Sequence, residues 1–228
     1  MRLLTYNIRG GLGMDGRRDT ARIAATVAAQ SPDVVCFQEV HQRLPWSGLV
    51  DQPRRLGQAL GMGFTFQANL NVGIGGYGVG VATKYPVSDV KKHFLPSVGE
   101  QRGALEASLQ TPSGPVTVFC THWGLKRDER ERQAAQMTEW INAAPRPLIV
   151  CGDLNEAFGA DYIQTMLREA GLRDADEGLD RPTYPADAPR ARIDAVFYSD
   201  GLRLERLTVG DSQASDHLPL WADFAVTG

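Results

Sequence analysis

A small set of polar residues stands singly at the ends of short apolar runs. Carboxylates, carboxamides and imidazoles of this kind bind hard divalent cations and activate water. Together they predict a metal-assisted hydrolase, provided that the fold brings them to one place. The residues are Asn7, Glu39, His122, Asp153, Asn155, Asp194, Asp216 and His217.

The runs beside these residues have the length and composition of buried strands. They cover 3–6, 34–38, 116–121, 148–152, 195–198 and 218–221. In layered α/β proteins, chemistry gathers where strand ends meet loops. We therefore expect six strand ends to deliver the polar residues to a single site.

The remaining pattern predicts an α/β protein with mixed sheets. Helices are expected at 18–30, 52–60, 127–142 and 160–170, and further strands at 63–68, 77–83, 86–95, 103–110, 192–199 and 202–209. Several adjoining strands have connections too short for a parallel crossover, so the sheets should be mixed with helices outside. No linker or repeat divides the chain, which predicts a single domain over 1–228.

One glycine-rich segment matches a nucleotide-binding pattern by letter only. Residues 73–78 read Gly-Ile-Gly-Gly-Tyr-Gly. The phosphate-binding version requires a strand before it and a helix after it. Because residues 79–83 read as a strand, the segment predicts a flexible hairpin or a close approach of the backbone.

Each polar residue also has a structural explanation when it is taken alone. Asn7 can cap a turn, Glu39 can be a surface carboxylate, and 152–155 can form an Asx turn. His122 and His217 can be structural histidines. These explanations are hard to hold together, because six independent strand ends would then carry the same chemical types by accident.

The full set resembles the endonuclease/exonuclease/phosphatase superfamily, the metal-dependent phosphohydrolases related to deoxyribonuclease I. The matching segments occur in family order between residues 5 and 219. The resemblance implies a four-layer α/β sandwich, with two mixed β-sheets packed face to face and helices on both outer sides. The segments are Thr-Tyr-Asn-Ile-Arg at 5–9, Phe-Gln-Glu-Val at 37–40, Cys-Thr-His at 120–122, Val-Cys-Gly-Asp-Leu-Asn at 150–155, Arg-Ile-Asp at 192–194 and Ser-Asp-His-Leu-Pro at 215–219.

A cation would counter the negative charge of a phosphoester and of its departing oxygen. Mg²⁺ or Mn²⁺ prefers oxygen ligands, and the resemblance implies that Glu39 is the best candidate for a direct ligand. The resemblance adds Asn7 and Asp216 as further ligands, directly or through water.

The attacking water must lose a proton and be aimed in line with the leaving oxygen. Asp153 and Asn155 can hold that water between an acceptor and an amide donor. His217 can contact the phosphate or take the proton, with Asp194 fixing its tautomer, and His122 can contact another oxygen or protonate the leaving group. Either Asp153 or His217 can be the base; our hypothesis is that Asp153 is the base and His217 holds the phosphate.

Four further residues have weaker signals. Arg102 can supply a phosphate contact, and Trp123 either contacts substrate or packs in the core. His41 follows Glu39 and can reach the rim of the site, whereas His93 is expected to be an exposed strand residue.

Composition limits the classes of partner and compartment. The formal net charge of −3 does not favour nucleic acid as a partner, although nucleic acid stays open. No apolar stretch is long enough to span a bilayer and no signal peptide is visible, so a cytoplasmic location is expected. Cys36, Cys120 and Cys151 lie in predicted core strands and are expected to be buried free thiols.

The sequence favours a phosphodiesterase acting on a small or lipid-linked phosphodiester. Segments 182–185 and 192–194 resemble the compact bacterial family members that are likened to sphingomyelinases or to generic phosphodiesterases. The alternative is a DNA endonuclease or exonuclease, including the abasic-site type, and a third hypothesis is a binding scaffold that has lost catalysis. The natural substrate, a monoester or diester preference and the oligomeric state stay open at this point.

Overall fold

The computed structural model describes residues 1–157 and 159–227, which contain twelve strands and four α-helices. The strands are β1 Arg2–Asn7, β2 Val34–Gln42, β3 Gly63–Val72, β4 Gly75–Thr83, β5 Val87–Phe94, β6 Gly103–Thr111, β7 Gly114–His122, β8 Leu148–Asp153, β9 Leu172–Asp174, β10 Asp194–Ser199, β11 Leu202–Val209 and β12 Leu220–Val226. The helices are α1 Thr20–Ala28, α2 Gln52–Leu60, α3 Arg127–Ala143 and α4 Asp161–Glu169. Short 3-10 helices cover Arg9–Gly11 and Pro45–Ser47.

The strands form two six-stranded sheets of mixed direction. The first sheet has the order β11-β12-β1-β2-β4-β3, and the second has the order β5-β6-β7-β8-β10-β9. Within each sheet one central pair is parallel, β1 with β2 and β7 with β8. The other neighbours are antiparallel, so the predicted mixed sheets are confirmed.

Alternation along the central strands produces three apolar layers. In β2, Val34 and Cys36 face the core between the sheets, whereas Val35 and Phe37 face the outer core beneath α1 and α2. The second sheet repeats the pattern, with an outer core that packs against α3 and α4. Helix, sheet, sheet and helix therefore form four layers, as the resemblance implied. The three cysteines are buried free thiols in the central core, as expected.

The helix ends follow local sequence signals. Asp19 caps α1 by accepting hydrogen bonds from two backbone amides, and Asp51 caps α2 in the same way through one amide. Helix α2 ends at Gly61, whose φ of 63° lies in the left-handed region that favours glycine. The expected helix at 18–30 begins two residues later because Asp19 is its capping residue, and it ends earlier, at Ala28.

Three further details bear on the sequence predictions. Residues 73 and 74 form the turn between β3 and β4, which confirms the hairpin. The three-residue strand β9 was not predicted, because it is too short to show a period. None of the helices in the described residues is both long and apolar enough to cross a membrane.

Candidate active site

Four polar side chains continue the inward-facing alternation of the central strands. Side chains two residues apart on a strand point to the same face of the sheet. Leu3, Cys120, Cys151 and Val196 face the central core, and the polar strand-end residues lie two or four positions away from them on the same faces. The second sheet also aligns its members in one row, because His122 pairs with Asp153 and Asp153 pairs with Asp194. The candidate site is therefore the polar end of the layer between the sheets. Its four strand-end residues are Asn7, His122, Asp153 and Asp194.

Glu39 reaches this site through a β-bulge. The register between β2 and β4 shifts between Phe37 and Val40, so two residues of β2 stand opposite one residue of β4. Glu39 has a φ of 54°, in the left-handed region, whereas Val40 returns to the outer apolar core. Strand β2 continues to Gln42, so the expectation that Glu39 follows the end of the strand was wrong.

A cavity of about 390 Å³ opens at this end of the sheets. Glu39, Asp153 and His217 all line this cavity, so the candidate cation ligand, the candidate base and the candidate phosphate contact lie together. Asn7 is fully buried beside it, and Asp194 is buried behind His217. The cavity is lined by Glu39, Tyr77, Glu100, Arg102, His122, Leu125, Asp153, Asn155, Tyr184, Ile193, Asp216 and His217.

Asp153 is the most highly connected carboxylate of the cavity. Its Oδ2 accepts a hydrogen bond from Nδ2 of Asn7 at 2.9 Å, and its Oδ1 accepts one from the backbone N–H of Asn155 at 2.9 Å. The Nε2 atoms of His122 and His217 lie 3.5 and 3.6 Å from the same Oδ2. Burial raises the pKa of Asp153 to about 7, although the charge of His217 and these hydrogen bonds act in the opposite direction.

His217 is held by a second buried carboxylate. Its Nδ1 lies 2.9 Å from Oδ2 of Asp194, and the same oxygen accepts a hydrogen bond from Oγ1 of Thr183 at 2.6 Å. Burial lowers the pKa of His217, but the charges of Asp194 and Asp153 outweigh it and raise the pKa to about 10. At neutral pH His217 is an imidazolium and has only donors to offer.

His122 has the opposite charge state. Burial and the nearby charges of Arg102 and His217 hold the pKa of His122 well below its usual value, so the imidazole is neutral. Nη1 of Arg102 lies 3.0 Å from the His122 Nδ1 and 3.1 Å from its Nε2. Nδ2 of Asn155 lies 3.1 Å from Nε2 of His122 and donates to the backbone oxygen of Trp123 at 2.9 Å.

The oxygen donors at the mouth suit a hard divalent cation. Glu39 and Asp216 both face the cavity, and within the described part of the chain no lysine or arginine pairs with Glu39. Nδ2 of Asn7 donates to Oε1 of Glu39 at 3.1 Å, and its Oδ1 accepts a hydrogen bond from the backbone N–H of Arg9 at 3.0 Å, so the carboxamide must rotate before its oxygen can bind a cation. Burial raises the pKa of Glu39, a cost that a bound cation would offset.

A second group of potential ligands is better explained by proton chemistry. Asp153, Asp194 and His217 place ligand atoms within 4.8 Å of one another. However, Nδ1 of His217 is already committed to Asp194, and an imidazolium is not a metal ligand.

The weaker candidates fall in different places. Arg102 lines the cavity and pairs with Glu100 at 2.9 Å. The indole of Trp123 is fully buried in the outer core, so core packing, and not substrate contact, is what the structure supports. His41 is buried beside the cavity and lines an adjoining groove. His93 was expected to be exposed, but it is partly buried because its ring stacks on Trp140 with the centroids 4.4 Å apart.

Sequence reasoning missed several residues of the cavity wall. Tyr77 comes from the hairpin strand β4, and Tyr184 lies with its ring centroid 4.9 Å from that of His217. Glu100 also lines the cavity, and Arg9 lies 3.3 Å from a carboxylate oxygen of Asp216. Arg9 lines the adjoining groove and not the cavity itself. Arg9 and Tyr184 lie in segments 5–9 and 182–185, which carry family resemblances, but no spacing signal assigns these two residues, Tyr77 or Glu100 to the site.

Comparisons with known proteins extend over nearly the whole chain. The family model described as Endonuclease/Exonuclease/phosphatase family matches residues 4–217. The protein YbhP of Escherichia coli (strain K12), which is described as uncharacterized, is 28% identical over 249 residues, covering 97% of this chain and 95% of YbhP.

Solved structures share the same architecture. An endonuclease/exonuclease/phosphatase from Beutenbergia cavernae DSM 12333 is 26% identical, with a TM-score of 0.83, and the match covers 100% of this chain and 72% of that chain. The mannosyl-6-phosphatase Bt3783 of Bacteroides thetaiotaomicron VPI-5482 is 18% identical, with a TM-score of 0.78 and 99% of both chains covered. At that identity the second likeness shows the fold alone.

Proposed function

Because the chain belongs to the Endonuclease/Exonuclease/phosphatase family, we propose that it is a divalent-metal-dependent phosphodiesterase whose substrate is a small or lipid-linked phosphodiester. The family is one of hydrolytic phosphoesterases, so the broad class of reaction follows from membership. The proposal includes a single catalytic domain over 1–228, with the reaction in the cavity between the two sheets.

One observation carries the proposal more than any other. Asp153, a carboxylate with a pKa near 7, lies in a cavity between an amide donor and two imidazoles. A general base works best when its pKa is close to the operating pH. This supports Asp153 as the group that takes the proton of the attacking water, with Asn155 orienting that water through its side-chain amide.

The charge states of the histidines support separate roles for them. His217 is protonated and has no free lone pair, so it suits a donor that holds a non-bridging phosphate oxygen. Asp194 keeps it protonated and oriented. His122 is neutral and lies beside Arg102, which favours a hydrogen bond to another phosphate oxygen over proton donation to the leaving group.

Glu39, Asn7 and Asp216 would hold the cation, which supplies Lewis-acid stabilisation of the charge that develops on the phosphoryl oxygens. Their oxygen-only donor set favours Mg²⁺ or Mn²⁺ over softer metals. Arg102 adds a fixed positive charge on the cavity wall.

The test is hydrolysis of bis-p-nitrophenyl phosphate by the purified protein with Mg²⁺, with Mn²⁺ and with a chelator. We expect turnover with a divalent ion and none with the chelator. Asp153→Asn keeps the size of the side chain and should lower turnover by about 10³-fold or more. The control is Asp89→Asn, an exposed position on β5 outside the cavity. Near-normal turnover of Asp153→Asn would refute its role as base.

Parallel assays separate the substrate classes. Sphingomyelin represents a lipid-linked phosphodiester, and abasic duplex DNA represents the nuclease alternative. Cleavage confined to DNA would move the conclusion to a nuclease. No hydrolysis of any substrate with any divalent ion would favour a binding scaffold.

A further inference from the structure

The exposed large apolar side chains are distributed unevenly over the molecule. Ten such residues occur in the described part of the chain, and only Val87 and Val90, both on the edge strand β5, lie away from the end that holds the cavity. Six of the others form what we call the apolar rim: Trp46, Leu70, Ile74, Phe94, Val98 and Leu125. Leu49 and Leu179 lie on connections at the same end.

Strand register places the apolar rim around the catalytic mouth. Phe94 pairs with Gly103, which pairs with His122, so Phe94 lies in the same row as the catalytic candidates. Ile74 forms part of the turn between β3 and β4. This hairpin extends beyond the last residue pair of β1 and β2, in which Asn7 lies opposite Gln38. Val98 lies on the connection that follows Phe94.

The other three members of the rim border open space connected to the reaction cavity. Leu125 lines the cavity itself. Trp46 and Leu70 line a groove of about 310 Å³, which shares Glu39, Tyr77 and Glu100 with the cavity wall.

These exposures are large for side chains of this type. Ile74 is 81% exposed, Leu125 is 70% exposed and Trp46 is 54% exposed. Burying a large apolar side chain is favourable, so several of them left in water around one opening form a surface that favours an apolar partner. Single exposed apolar residues are ordinary, but a cluster around a functional opening marks an interaction site.

We propose that the apolar rim docks the protein on a zwitterionic lipid surface, with the cavity facing the headgroups. The inference rests on the proposed function and names the source of its substrate, a phosphodiester of the lipid headgroup layer. The rim side chains enter the outer part of the bilayer, as those of interfacial proteins do, and the phosphodiester enters the cavity between them.

Two observations favour a lipid surface over a protein partner. The rim side chains come from separate connections that surround an opening, so a rigid partner covering all of them would close the cavity to substrate. Charges of both signs also border the opening, where Arg9 pairs with Asp216 and Arg102 pairs with Glu100. A mixed border on a chain of net charge −3 matches a phosphatidylcholine headgroup better than an anionic one.

The experiment measures co-sedimentation of the full chain with phosphatidylcholine vesicles. The test variant is Ile74→Ser with Val98→Ser, two rim positions that do not line the cavity. The matched control is Val87→Ser with Val90→Ser, the two exposed apolar residues of β5 that lie away from the cavity end. We expect the vesicle-bound fraction of the test variant to fall at least tenfold, and that of the control to stay at the wild-type level. Turnover of soluble bis-p-nitrophenyl phosphate should be unchanged in both.

Three results would overturn the inference: wild-type protein that stays in the supernatant, equal loss of binding in both variants, or a stable dimer in sedimentation velocity that only the rim variant abolishes. The last result would assign the rim to a second copy of the chain. Failure of the proposed function is separately visible, because it would abolish hydrolysis of the soluble diester while vesicle binding persisted.

Discussion

At the level of single residues, two buried carboxylates share one imidazole. Asp194 is bonded to His217 on one side, and Asp153 lies on the other side of the ring. Burial alone would keep the imidazole neutral, and the two negative charges reverse that preference. The same burial leaves Asp153 with a raised pKa, so the proposed base and the proposed phosphate donor differ in charge because of their neighbours and not because of their depth.

Replacement of Asp194 with Asn should therefore change the charge of His217. The carboxamide removes one negative charge at nearly constant volume, so burial regains its influence and the pKa of His217 falls from about 10 to its ordinary range or below. The pKa is measured by NMR titration of the His217 imidazole in metal-free protein. Turnover of the soluble diester at pH 7 should fall by about 10²-fold or more, because the donor to phosphate is lost.

Thr183→Val is the matched control for this prediction. It removes one hydrogen bond to Asp194 and leaves the charge in place. His217 should stay protonated at pH 7, with a loss of turnover of about tenfold or less. If His217 titrates at the same pH in the wild type and in Asp194→Asn, Asp194 does not set its charge.

At the level of elements, the site combines strand ends, which the sheets hold in place, with loops that need side-chain contacts to keep their positions. Arg130 on α3 ties two of these loops together. It donates to the backbone oxygens of Leu125 at 2.6 Å and Gly124 at 3.3 Å, and to Oε2 of Glu156 at 2.6 Å. One loop follows His122 and the other follows Asn155. The guanidinium is one of the few groups with enough donors to make all of these bonds.

Arg130→Lys should loosen both loops without changing the net charge. An ammonium has three donors on a single atom and does not span the carbonyls and the carboxylate together. We expect a loss of roughly 2 kcal/mol in the free energy of unfolding and a kcat lower by about tenfold. Urea unfolding and steady-state kinetics check the two effects. Arg132→Lys, an exposed position on the same helix, is the control, and a wild-type kcat in Arg130→Lys would show that the loops hold their positions without this contact.

Most elements were predictable from the sequence because each central strand carries a full apolar run. The polar residue at the end of the run keeps the inward direction, so Asn7, His122 and Asp153 were found from position alone. Glu39 was identified by its residue type. Its position in a β-bulge was not predicted, because a bulge does not show in the apolar and polar pattern of the sequence. Tyr77 and Tyr184 were missed because tertiary folding, and not spacing, brings them to the cavity.

At the level of the whole molecule, folding the sandwich gathers negative charge. Glu39 lies on β2 of the first sheet, Asp216 lies on the connection before β12, and Asp153 ends β8 of the second sheet. Burial raises the pKa values of Glu39 and Asp153, and the charge of Asp216 raises the pKa of Glu39 further. A divalent cation that binds the folded protein alone should therefore stabilise it.

The melting temperature should rise when Mn²⁺ or Mg²⁺ is added to chelator-treated protein. At a free concentration about 100 times the Kd, binding contributes roughly 2.7 kcal/mol, which corresponds to a rise of about 5–10 °C for a chain of this size. The carboxylate of Glu39 would bind the cation and, without the cation, it repels its acidic neighbours. Glu39→Gln removes both effects. Its metal-free melting temperature should equal or exceed that of the wild type, and its response to the cation should be small.

Calorimetry with Glu139→Gln as the control completes this comparison, because Glu139 is an exposed glutamate on α3 far in sequence from the cavity residues. The control should show the full wild-type response. An equal rise in Glu39→Gln and wild type would mean that the cation binds elsewhere. Because the readout is stability, it separates loss of the cation from loss of a catalytic group, which turnover alone does not do.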